Sequence, residues 1–255
     1  MIRLPKRLGH RQPAELVQHL DELRARLVVC AVALVATTAV AFAVHGRLLS
    51  LLTSALPAER RQLVTLGVTE PFMTSLKISL VAGFGLALPV VLWQLWGFLA
   101  PVWERRTQRV VAVFAAAGGV LFFVGCLVGQ RLALPAAVGF LTSYDADQYD
   151  ILVRARDYLS FAVAVVAAVG VVFELPLVVL GLVRIGITSS AALRRKRRIG
   201  YVAMAALAVA LPGVDPVTTA IEMIPLMALY EASIWVAAIF ERRWRTAPLG
   251  AAGSA

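Results

Sequence analysis

The chain has 255 residues, of which 60% are hydrophobic and 16% charged, with a mean hydropathy of +0.81 and a net charge of +10. This composition excludes a water-soluble globular domain and describes an integral membrane protein. The basic excess does not call for nucleic acid, because its distribution along the chain follows a membrane topology.

The amino-terminal segment contains "LVQHLDELRARL", residues 16–27. Its apolar positions Leu16, Leu20, Leu23 and Leu27 recur at helical spacing, while Asp21, Glu22, Arg24 and Arg26 fill the other faces, so an amphipathic helix leads into the membrane. The first apolar run, 27–44, is long enough to cross the roughly 30 Å of bilayer hydrocarbon. Its "AFA" imitates a signal-peptidase site, but the leading region is long and holds Glu15, Asp21 and Glu22, so the run reads as an uncleaved helix. In the loop 45–74, "RLLSLLTSAL" has the pattern of an amphipathic surface helix ended by Pro57. Further spans are expected at 75–100, 110–129 and 158–183, with an acidic outside loop over 131–157. The apolar stretch 199–240 is too long for one span and is interrupted at "LPGVDP", giving short spans at 199–213 and 217–240. Residues 241–255 read as a basic and then disordered cytoplasmic tail.

The fold class is therefore all-α, a polytopic bundle of six transmembrane helices forming one domain over residues 1–240. Six spans put both termini on one side. With that side inside, the basic groups before residue 27, around Arg105, Arg106 and Arg109, in "RRKRR" at 194–198 and at Arg242, Arg243 and Arg245 all fall inside. The positive-inside rule thus places both termini in the cytoplasm. Trp93, Trp96, Trp103, Trp235 and Trp244 sit where interfacial anchors belong.

Enzyme chemistry is poorly represented. His10, His19 and His45 lack zinc-ligand spacing, no nucleophile elbow or phosphate-binding glycine loop occurs, and Cys30 and Cys126 both fall in spans. No metal or other cofactor is expected. The groups that need explaining are the acids in or beside the spans: Glu174, Asp215, Glu222 and Glu231, with Thr218 and Thr219. A charge at a helix centre costs about 2.5–3.5 kcal/mol on insertion scales. Keeping a glutamate protonated at neutral pH costs about 3.7 kcal/mol, so the protonation state of Glu174 stays open. Either way it must face protein or water, and Pro176, which cannot donate to the carbonyl of Val172, is expected to kink the helix there.

Taken together, the motifs resemble the TatC family, the multispanning receptor component of the twin-arginine protein translocase. They are, in order, "HLDELRARL", "LALPVVLWQLWGFLAP", "DYLSF", "FELP", "GITSSAALRRKRR", "LPGVDP" and "IPLMALYE", and they extend over about residues 16–240. The resemblance implies transport of folded proteins across the cytoplasmic membrane, driven by the proton-motive force, with no enzymatic step. It implies a cytoplasmic site for paired signal-peptide arginines, single-span partners of the TatA and TatB type, and a homo-oligomeric receptor complex. Glu22 matches the family's amino-terminal glutamate, and Arg24 and Arg26 its flanking basic residues; planar guanidinium suits carboxylate recognition. Ungapped counting puts Thr107 opposite the family's second carboxylate, with Glu104 one helical turn earlier. Glu174 matches the intramembrane glutamate and Asp215 the acid between the last two spans. The implied architecture is a concave bundle with two short final helices and a pocket assigned to Glu174, Asp215, Thr219 and Glu222. Of these, Glu222 has no family counterpart. Pro89, Phe98, Pro101 and Pro176 take structural roles.

Two other readings compete with a receptor. A proton-coupled small-solute transporter would use Glu174 and Glu222 as relays, though no repeat links the two halves of the chain. A membrane scaffold would leave Glu22 dispensable.

Overall fold

The computed structural model describes residues 16–99, 107–144, 148, 151–212 and 216–246. Apart from one isolated bridge between Val64 and Arg154, the regular structure among these residues is helical. The expected positions Pro101, Glu104 and Asp215, the side chain of Thr107 and the tail 247–255 lie outside the described residues. The chain divides into two compact units, one formed by residues 1–54, 61–123 and 153–163, the other by 55–60, 124–152 and 164–255.

In the first unit, α1 (Leu16–Ala43) packs along α3 (Glu70–Leu99), with the short α2 (His45–Thr53) between them in sequence. The amphipathic segment predicted in the first loop is thus a helix, and it stops at Thr53, ahead of Pro57. At 28 and 30 residues, α1 and α3 are each about 40–45 Å long, longer than the hydrocarbon they would cross. Their polarity is arranged for lipid. Leu20 and Leu27 are 62% and 59% exposed, whereas Glu22 and Arg26 turn toward α3. Midway along, Thr37 Oγ1 donates to the carbonyl of Gly83 at 2.8 Å. A Cβ at Gly83 would lie 2.6 Å from Thr38 Cα, so only glycine lets the two backbones come this close. The first part of α4 (Thr107–Val128) packs on α3 through Trp96 and Phe114, edge to face at 5.2 Å, and by seating the Pro89 ring against Gly119.

In the second unit, α4 does not end where its polar residues suggested. A π-helical turn, Gly129–Ala133, carries the chain into α5 (Leu134–Ser143), and the apolar helix runs over Val111–Ser143. The expected outside loop therefore begins later than residue 131. Gln130 and Arg131 lower the hydropathy, yet Gln130 is buried and Pro135 sits in the first turn of α5, where a missing N–H is tolerated.

The fourth apolar run, Ala155–Arg184, is two helices: α6 (Ala155–Val172) and α7 (Leu175–Arg184). Pro176 cannot donate, and the Leu177 N–H bonds the carbonyl of Glu174, three residues back, at 3.0 Å. The predicted kink is thus a break at Phe173 and Glu174. After a turn at Gly186, α8 (Ser190–Arg195) is capped by Ser189, whose Oγ accepts from Ala192 N at 3.1 Å.

The two short final spans expected from sequence become a short helix and a long one. α9 (Arg197–Ala210) has 14 residues, about 21 Å, while α10 (Pro216–Thr246) has 31 and carries its apolar segment, Thr219–Arg242, on into the basic tail. They close around Val172, Met204, Ala208, Leu226, Tyr230 and Ile234. Gly200 rests on the Tyr230 ring, leaving no room for a side chain.

Candidate functional site

Glu22 lies one and a half turns into α1, and Arg26 lies one turn further on the same face. Arg26 Nε and Nη2 both donate to Glu22 Oε1, at 3.0 and 2.6 Å. Nη2 also reaches the carbonyl of Gly97 at 3.1 Å, and Nη1 donates to the carbonyl and the Oε1 of Gln94, at 3.3 and 3.1 Å. The Gly97 carbonyl belongs to the last turn of α3, where helix carbonyls lose their intrahelical partners and a cation is favoured. The Glu22 carboxylate is therefore fixed to two helices through one guanidinium. About a fifth of its side chain reaches the surface, and Oε2 makes no hydrogen bond among the described residues.

Arg24, predicted beside Glu22, is on the opposite side of α1. It is exposed and shares a shallow apolar depression with Leu20, Leu23, Leu27, Val28 and Ala31. Phe98 is partly buried near the end of α3. The structure thus joins Glu22 with Arg26, sets Arg24 apart, and adds Gln94 and Gly97. Sequence reasoning missed these two, although "WQLWG" supplied the signal: a polar residue in an apolar run, followed at i+3 by a glycine.

A second group of polar residues lies in the other unit. Glu174 is 9% exposed and occupies the amino-terminal cap of α7, but its side chain makes no capping bond there. Its Oε1 is buried without a hydrogen-bond partner among the described residues. Glu222 is buried on α10, with Thr219 partly buried nearly one turn earlier, and Gln130 is buried in the π turn. α10 packs against both α7 and the π turn. Three buried polar side chains therefore sit on three elements of one packed unit, an arrangement that needs polar company or water. Glu231, the remaining predicted acid, is committed elsewhere: it accepts from Arg197 Nη2 at 2.8 Å and from the Tyr201 hydroxyl at 2.6 Å, tying α10 to α9.

Also missed was a buried carboxylate clasp in the first unit. Glu70 accepts from Arg154 Nε and Nη2, both at 3.1 Å, and from the backbone N–H groups of Leu66 and Arg156, both at 3.2 Å. Beside it the Val64 N–H bonds the carbonyl of Val153, and Tyr158 donates to the carbonyl of Leu52 at 2.7 Å. Among the described residues no cluster of His, Cys, Asp or Glu has the makings of a metal site.

The sequence model of the Sec-independent protein translocase protein TatC matches residues 18–225. The chain belongs to the TatC family. TatC of Carboxydothermus hydrogenoformans is 32% identical over 227 residues, covering 89% of this chain and 93% of that protein. TatC of Escherichia coli K12 is 30% identical over 234 residues, covering 90% of each. A crystal structure of the twin arginine translocase receptor TatC in DDM is similar with a TM-score of 0.75 at 30% identity, covering 86% of this chain and 99% of that one. A second TatC crystal structure gives 0.74 over 88% and 100%. As a TatC protein, the chain is a multi-pass membrane component of a protein translocase, a transport subunit and not an enzyme. A small-solute transporter is not favoured.

Proposed function

We propose that this TatC protein is the receptor that binds the paired arginines of a signal peptide at Glu22. Together with single-span TatA- and TatB-type partners, it passes folded proteins across the cytoplasmic membrane, using the proton-motive force. The observation that carries the reading is the Glu22 carboxylate: ionic, immobilised, partly exposed, and with one oxygen uncommitted. A guanidinium arriving at that oxygen would make charge-assisted hydrogen bonds to a group already held in place. The arginine distribution supports an orientation with both termini, and hence Glu22, in the cytoplasm. Glu104 and Thr107, three positions apart in the sequence, are the proposed second half of the site.

Glu174, with Asp215, Thr219 and Glu222, is proposed as the place where a partner's helix presents a polar group within the membrane. Support comes from the buried Glu174 oxygen, which no side chain of the described residues satisfies. The whole of 1–240 acts as one membrane domain, assembled as several copies in the receptor complex.

Photo-crosslinking from the paired arginines of a signal peptide tests the reading, with products expected at residues around Glu22 and Glu104. Glu22→Ala is expected to abolish export of twin-arginine substrates while membrane insertion stays intact. Normal export by that variant would remove Glu22 from the site.

A further inference from the structure

The guanidinium of Arg26 has five N–H donors, and the five hydrogen bonds described above use them all. Arg26 therefore has no donor left for a ligand. Its pairing with Glu22 is also lopsided. An arginine and a carboxylate left to themselves pair fork to fork, one N–H to each oxygen. Here both N–H groups converge on Oε1, while Nη1 is held by Gln94 and the second N–H of Nη2 by the Gly97 carbonyl. Gly97 also provides the space: a Cβ there would lie 2.6 Å from Arg26 Nη1.

We infer that Gln94 and Gly97 are specificity-determining positioning residues, which hold Arg26 off the second oxygen of Glu22 and so keep that oxygen open to an incoming guanidinium. In this arrangement Arg26 is a mount and not a ligand-binding group. Released from Gln94, it would swing into fork-to-fork pairing and satisfy Glu22 from within the chain. The inference rests on the reading of Glu22 as the arginine-binding carboxylate.

The test is equilibrium binding of two fluorescent signal peptides, one with paired arginines and one with paired lysines, to the full chain in lipid nanodiscs. Gln94→Leu keeps the bulk of the side chain and removes its acceptor. It is expected to weaken binding of the arginine peptide about tenfold, the scale of one hydrogen bond to a charged group, and to leave the lysine peptide within about twofold. Gly97→Ala is expected to follow it. Combined with Glu22→Gln, which itself removes the preference for arginine, Gln94→Leu should have no further effect, whereas a purely structural role would weaken both peptides and add to the loss. Wild-type arginine binding by Gln94→Leu and Gly97→Ala, with Glu22→Gln still deficient, would overturn the mount and leave the receptor reading standing. Parallel weakening of both peptides would overturn it equally. Undiminished arginine binding by Glu22→Gln would overturn the receptor reading, and the mount with it.

Discussion

Glu70 and Glu174 are buried to nearly the same degree, at 7% and 9% exposure, yet they are opposites in chemistry. Glu70 accepts from four donors supplied by its own chain, so every need of the carboxylate is met internally. Glu174 sits at a helix break with an oxygen that the described residues leave unsatisfied. Burial alone does not say what a carboxylate is for; the supply of donors does. A carboxylate saturated from within holds the fold together, and one left unsaturated is available to something else.

That contrast can be broken by substitution. The largest loss of stability is expected from Arg154→Ala, which leaves Glu70 buried beside two backbone donors only. Its thermal midpoint in detergent should fall by on the order of 5 °C or more, and adding Glu70→Gln should recover part of the loss. Tyr158→Phe, which deletes the bond to Leu52 and no packing volume, should cost about 1 kcal/mol, or roughly 2–4 °C. Glu174→Gln should leave the midpoint within about 1 °C, since no side-chain hydrogen bond among the described residues is lost. Glu174→Ala should leave signal-peptide crosslinking near Glu22 intact while impairing partner assembly or transport. A steep loss of stability in Glu174→Gln, or a wild-type melt for Arg154→Ala, would dissolve the distinction between the two acids.

Much of this fold is legible in the sequence because hydrocarbon imposes a simple demand on length and polarity. The first, second and fourth apolar runs, the helix in "RLLSLLTSAL" and the interruption at Pro176 all follow from it. The third helix did not, because a hydropathy window stops at Gln130 and Arg131, whereas a helix stops only when its backbone bonding does. The amphipathic pattern of residues 16–27 located a helix and its charged face. Which face turns inward depends on the solvent: next to lipid Leu20 and Leu27 point out while Glu22 and Arg26 point in. Glu22 was visible as a motif residue, but its uncommitted oxygen was not, since Gln94 and Gly97 meet Arg26 only when α3 packs against α1. The Glu70 clasp is hidden for the same reason, its partner lying 84 residues away.

The Arg26 network also has an order in time. Its bonds to Glu22 span four residues and need only the first turns of α1. The bonds to Gln94 and Gly97 reach 68 and 71 residues ahead and must wait until α3 has been made and inserted. On the proposal that Glu22 is the arginine-binding carboxylate, its second oxygen can be held open by Gln94 and Gly97 only once the second long helix is in place.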